Sequence, residues 1–188
     1  MDPGTDSGTG PGTPPDVALV PLDEAGLAEL LEAAVAGAAP AEVMPAPDGA
    51  GWDEGLRAGF LAFHRGRALA AEPVERTWVV RSGGRAAGAV RVEPGADGDE
   101  VGIWLARGDR GRGTGTAALR LLRSEQSVAA SGAPLVARTT ASNHGARGLL
   151  RTLGAATAPG TEGTVTARLP TVDHDGGPAA GRRTGRGC

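Results

Sequence analysis

The 188 residues hold 22 acidic and 19 basic side chains of interspersed sign, a net charge of -3, which gives no global drive toward nucleic acid or an acidic membrane surface. A lone Cys188 argues against a disulfide framework, a thiolate metal cluster or a buried catalytic thiol. No apolar run approaches the roughly 18 residues of a membrane span, and no basic start leads into an apolar stretch, so the chain reads as cytoplasmic.

Residues 1–15 (MDPGTDSGTGPGTPP) and 171–188 are dominated by Gly, Pro, Asp and other small or polar residues. Both segments lack the apolar content to offset ordering entropy, so they are expected as disordered tails around one folded domain, residues 16–170. Val17–Pro21 reads as a first strand. Glu24–Ala36 reads as an amphipathic helix with Leu27, Leu30, Leu31 and Val35 on one side. Ala39–Gly51 is expected as a loop able to frame a substrate mouth. Trp52–Ala71 resumes a helical pattern with Leu56, Phe60 and Phe63 toward the core. His64 lies in it, a group that could titrate near neutrality but that reads as a surface or core residue. Thr77–Arg81 and Ala86–Val92 form a hairpin across Ser82-Gly83-Gly84.

The stretch Asp99–Gly115 (DEVGIWLARGDRGRGTG) organises the rest. Val101–Ala106 is a compact apolar run with β-branched and aromatic members, a buried strand. A turn of glycines and arginines follows, and Thr116–Glu125 has helical spacing. Strand, glycine turn and helix make an anion-binding arrangement, because glycine lets the backbone approach a phosphate and the unpaired amides of the helix start point at it. Arg107, Arg110 and Arg112 cluster there. Pro134–Thr140 then reads as a parallel strand, Asn143–Leu153 as a second crossover helix and Thr164–Leu169 as a last strand. Gly113, Gly115 and Ala118 also fit a dinucleotide motif. That motif belongs at the first strand with an acid about twenty residues on, where this chain offers Val136 to Arg138.

The order Arg110-x-x-Gly113-x-Gly115 resembles the Q/R-x-x-G-x-G/A acetyl-CoA signature of the GNAT family of N-acetyltransferases. Glu100-Val-Gly-Ile-Trp-Leu105 is similar to the strand of its RimJ/RimL-type branch. Asn143–Gly154 (NHGARGLLRTLG) resembles the family's later N-x-x-S/A-x-x-L-x-x-x-x-G helix. The resemblance implies an α/β sandwich: a mixed sheet of six to seven strands with a splayed parallel pair, flanked by about four helices. It implies acetyl-CoA as acyl donor, its pantetheine arm paired with the backbone of Leu105 and Ala106, its pyrophosphate on the turn Gly111, Arg112, Gly113, Thr114, Gly115 and Thr116, and Arg107 and Arg110 beside it.

Glu100 is the first candidate for the base that frees the acceptor amine, directly or through a water, with Asp97 and Asp99 as competitors. Asn143 holds the cofactor arm or a water, or simply caps its helix. Many relatives protonate the leaving thiolate with a tyrosine seven residues after this asparagine; here that position is Leu150, and the chain has no tyrosine. A thiol of pKa about 8.5 is a fair leaving group that water can protonate. The expected activity is acetyl transfer to a primary amine, a peptide N-terminus or a small molecule, without a metal. The missing tyrosine motivates an alternative, a module that binds and senses acyl-CoA without turnover. Homodimers are common in the family.

Overall fold

Apolar residues alternate along the strands, and the computed structural model, which describes residues 16–170, divides them between two cores on opposite faces of one sheet. The sheet is built from β1 (Val17–Pro21), β2 (Arg76–Ser82), β3 (Arg85–Glu93), β4 (Asp99–Leu105), β5 (Leu135–Thr140), β6 (Ala156–Pro159) and β7 (Thr164–Arg168), in the order β1-β2-β3-β4-β5-β7-β6. All neighbours are antiparallel except β4 and β5. The expected mixed sheet with a parallel pair is present. The tails, with Cys188, lie outside the described residues.

The first face is covered by α1 (Glu24–Gly37), α2 (Pro40–Val43) and α3 (Glu54–Ala68). Leu27, Leu30, Phe60, Val79 and Ala89 form its core. The other face carries α4 (Thr114–Ser124), α5 (Gln126–Ala129) and α6 (His144–Thr152). There Val80, Val90, Val92 and Val101 meet Leu119, Leu122 and Leu150. Asp23 and Asp53 cap α1 and α3 by accepting from the Gly26 and Leu56 amides, each at 2.7 Å. Such caps satisfy amides that the first helical turn leaves unpaired.

Several elements differ from expectation: α3 is shorter at both ends and α5 has no expected counterpart, and three further differences have a local reason. The segment expected as a loop, residues 39–51, contains α2, begun by Pro40 at the first helical position and Glu42, whose carboxylate accepts from the Ala39 amide at 2.6 Å. That is the acidic half of a capping box with a proline suited to helix entry. Helix α4 starts at Thr114, inside the glycine turn rather than after it. Strand β6 has no counterpart among the expected elements: ATAP is exposed throughout, has no alternation to read, and lies at the sheet edge, where Pro159 is tolerated.

Candidate active site

The pairing of β4 with β5 is short. Asp99 faces Leu135 and Glu100 faces Val136, yet β4 runs on to Leu105 and β5 to Thr140. Beyond the second pair the strands separate, leaving one edge of β4 unpaired. Backbone groups alternate in direction along a strand. The Ala106 amide is bound to the Ala87 carbonyl at 2.8 Å on the β3 side, and the Asp99 amide to Pro134 at 2.9 Å on the β5 side. Ile103 and Leu105, in register with Asp99, therefore turn their backbone groups into the gap. Ala106, expected to pair with the cofactor arm, has its amide committed to β3.

A cleft of about 510 Å³ occupies the separation. Of the expected cofactor residues, Leu105, Arg110, Gly111, Gly113, Gly115, Thr116 and Asn143 line it; Ala106, Arg107, Arg112 and Thr114 do not, and Thr114 is buried. Gly111 and Gly113 have φ of 72° and 84°, left-handed values that suit glycine. Gly113 stands at the N-cap of α4, and no side chain caps that helix. The first turn of α4 is thus left without a side-chain cap, unlike the starts of α1 and α3, and its residues Gly115 and Thr116 line the cleft.

Arg110 is a brace. Its Nε donates to the Leu105 carbonyl at 2.7 Å and one terminal nitrogen donates to Glu42 at 2.9 Å. Arg107 adds a 3.5 Å ion pair to the same carboxylate. Burial alone would push the Glu42 carboxyl up, but the Ala39 amide and the two guanidinium groups hold it below the ordinary glutamate value. The turn is pinned from beneath by Asp109, a buried carboxylate gripped by Arg85 through bonds of 2.6 and 3.0 Å. Asn143 caps α6, accepting from the Ala146 amide at 3.0 Å, and lines the cleft as well. Leu150, which stands at the tyrosine's position, is buried in the core; Gly145, Ala146, Leu149 and Thr152 are the α6 residues that reach the cleft.

A second cavity of about 460 Å³ lies on the α3 face and shares Glu42, Ile103 and Trp104 with the first. Its polar residues bind one another. Arg67 holds Glu75 at 2.8 Å and Glu93 at 2.5 Å. Arg91 holds Glu93 at 2.9 Å and reaches Glu100 at 3.6 Å. Glu100 in turn is bound by Arg138. Gly102, opposite Arg91 in the sheet, makes this ladder possible: a Cβ there would stand 2.8 Å from the Arg91 Nε. The E-x-G pair of the strand is thus a carboxylate and the room its guanidinium partner needs. Glu100 itself lines neither cavity, and its oxygens are held by Arg91 and Arg138. Of its expected competitors, Asp99 is buried against Arg76 at 3.5 Å, and Asp97 is exposed beside Arg138.

His64, expected as a surface or core residue, is buried in the wall of this second cavity. Its Nε2 lies 3.0 Å from the Val43 carbonyl. A carbonyl only accepts, so Nε2 carries the proton, and Nδ1 keeps a lone pair that has no partner. Burial holds the imidazole below its usual value, against the pull of Glu75 and the Val43 carbonyl, with Arg67 and Arg91 adding to the depression. The unfolded chain then takes up the proton first, near pH 6.5. Stability is whole above that pH and falls on acidification below it. His64→Gln, which retains a donor for Val43 but does not titrate, should flatten the fall in melting temperature between pH 7 and about 5.5.

Among the described residues, no cluster of three or more potential ligands could hold a metal, and no helix is long and apolar enough to cross a membrane. The model of the acetyltransferase (GNAT) domain family matches residues 17–156. A search of curated proteins found no match. Several solved structures share the fold at low identity. A GNAT domain from S. lividans aligns with a TM-score of 0.60 at 16% identity, over 81% of this chain and 89% of that one. The ribosomal-protein-S18-alanine N-acetyltransferase of Escherichia coli aligns with a TM-score of 0.55 at 17%, over 89% and 97%. An N-acetyltransferase of Campylobacter jejuni, solved with acetyl coenzyme A, gives 0.55 at 13%, over 81% and 97%. With the splayed parallel pair and the uncapped glycine-turn helix beside it, the family match over residues 17–156 places this chain in the GNAT acetyltransferase family.

Proposed function

We propose that the protein transfers an acetyl group from acetyl-CoA to a primary amine, on a peptide N-terminus or a small molecule. The observation that carries this reading is the pair of cavities meeting at Ile103 and Trp104. One is fitted to an anionic, extended donor, and the other is free for an acceptor. The pyrophosphate lies on the amides of the turn from Gly111 to Thr116, and the pantetheine arm adds to the edge of β4 at Ile103 and the Leu105 amide, the Leu105 carbonyl being held by Arg110, as a further strand would. Acetyl-CoA bound in the Campylobacter relative supports this donor. The E-x-G-x-W-L strand favours the RimJ/RimL-type branch. The amine nitrogen gives its lone pair to the thioester carbonyl carbon, the C–S bond breaks, the nitrogen sheds one proton to solvent as the amide forms, and water protonates the thiolate in place of the missing tyrosine.

Glu100 serves here as the holder of Arg91 and Arg138. Glu100→Gln is accordingly expected to lower turnover less than tenfold, short of the roughly hundredfold or more that loss of a general base costs; a hundredfold fall would return it to the role of base. The test of the whole reading is thermal unfolding with acetyl-CoA beside thiol release over a panel of amines. A raised midpoint is expected from mass action, with amine-dependent release. No shift would overturn donor binding, and a shift with no release from any amine would favour the sensing module.

A further inference from the structure

The junction of the two cavities narrows the choice of acceptor. Glu42, Ile103 and Trp104 line both cavities, so a nucleophile reaching the thioester from the second one passes these three side chains. Ile103 is apolar and the Trp104 Nε1–H can only donate. Glu42 is the proton acceptor of the set. Its carboxylate is fixed by three donors, the Ala39 amide at 2.6 Å, Arg110 at 2.9 Å and Arg107 at 3.5 Å. A carboxylate has about four acceptor positions, which leaves one for a further donor.

The rest of the second cavity gives the shape of the ligand. Arg67, Glu75, Thr77 and Arg91 satisfy one another, and the His64 Nε2 is taken by Val43. The unpartnered His64 Nδ1 and Trp104 Nε1 are themselves buried, so what remains to meet a ligand is the apolar surface of Val43, Met44, Phe63 and Trp104, with Glu42 at one end.

We propose that Glu42 receives the acceptor's ammonium group at this junction, and that the acceptor is a primary amine on an apolar or aromatic body. This rests on the transferase reading. The ammonium docks on Glu42 by a charge-assisted hydrogen bond. It loses one proton to solvent, and the free amine attacks the thioester carbonyl. The amide nitrogen sheds a second proton, sulfur departs with the C–S electron pair, and the thiolate takes one proton from water. The sum is an ammonium and a thioester giving an amide, a thiol and one released proton.

The test uses 2-phenylethylamine and its neutral isostere 2-phenylethanol on the full chain and on Glu42→Gln. Ala39 and Arg110 donate to different oxygens of Glu42, so the carboxamide oxygen of that variant keeps only one of them; Arg110 retains its bond to the Leu105 carbonyl, so the acetyl-CoA midpoint shift should persist. The amine KM should rise about tenfold or more, the cost of one charged hydrogen bond, with kcat changing less. In a second arm, CoA and amine together should raise the wild-type midpoint above CoA alone, the alcohol should not, and the variant should lose the increment. An unchanged amine KM in the variant overturns the assignment. Where phenylethylamine is not turned over by wild type, the second arm decides, and an increment that is missing or equal in both proteins overturns it. Loss of the CoA shift in Glu42→Gln would mark Glu42 as a brace of the cofactor turn alone and also overturns it. Absence of a CoA shift in wild type is the separate failure of the donor reading.

Discussion

Gly88→Ala should cost about 3–5 kcal/mol, among the largest effects a single methyl can have, and lower the melting temperature by roughly 10 °C. Gly88 sits in the middle of β3, facing Val80 on one side and Leu105 on the other. The register between β2 and β3 slips at this point: Val80 pairs with Gly88 but Arg81 pairs with Ala86. Ala87 is the extra residue of a bulge, which bends the strand and increases its twist. The bend drives the Gly88 backbone toward β4. A Cβ would stand 2.1 Å from the Trp104 carbonyl oxygen and 2.8 Å from the Leu105 Cα. Both are backbone atoms, so no side-chain rotation relieves the clash; β3 and β4 must separate. That would break the Ala106–Ala87 bond and shift Ile103 and Leu105, the edge offered to the cofactor arm. The variant should therefore lose acetyl-CoA protection as well as stability. Chemical denaturation with and without acetyl-CoA measures both. Stability within about 1 kcal/mol of wild type, the scale of an ordinary substitution, would show that the strands accommodate a methyl here.

How much of the fold and site is legible in the chain depends on the range over which each feature is encoded. The glycine turn and its helix are legible because every residue that makes them lies between Arg107 and Ser124, and left-handed backbone is announced by the glycine itself. The helices α1 and α3 are legible from apolar spacing. The side-chain network is not. Arg67, Glu75, Arg91, Glu93, Glu100 and Arg138 are drawn from α3, the residue before β2, and β3, β4 and β5, and a charged residue in isolation looks the same whether solvated or paired across a sheet. Glu100 therefore reads as a free base in the sequence, where nothing local announces the arginines that occupy it. Arg85 and Asp109 escape for the same reason, being 24 residues apart. Helix α2 does leave a signal, Pro40 followed two residues later by Glu42, a helix start short enough to pass for loop. His64 shows its spacing but not its depth: burial depends on α3 lying against residues 43 to 45, which no local pattern encodes.

Gly115→Val should abolish acetyl-CoA protection while Gly115→Ala keeps it, and Gly113→Ala should fall between them. The two glycines of the motif answer to different physics. Gly113 carries a φ of 84° at the N-cap of α4, where an L side chain costs roughly 1–2 kcal/mol. The alanine variant must distort the turn or bear that strain, which is worth about a tenfold loss in acetyl-CoA affinity. Gly115 is already helical, so alanine suits its backbone. Its constraint is space: a Cβ would meet the Leu149 Cδ1 at 2.9 Å and the Leu105 Cδ1 at 3.5 Å. The Leu149 methyl is the far end of a flexible side chain and can give way to a single carbon, which accounts for a signature that admits alanine at this second position. Valine adds two more carbons against Leu149 and Leu105. Both leucines line the cleft, and α4 packs on the core through Ala118, Leu119 and Leu122, so the leucines have the cavity as their way out. The valine variant should fold, keep its unliganded midpoint within a few degrees, and show neither an acetyl-CoA shift nor thiol release. An intact shift in Gly115→Val would mean that the donor does not occupy the gap between β4 and β5.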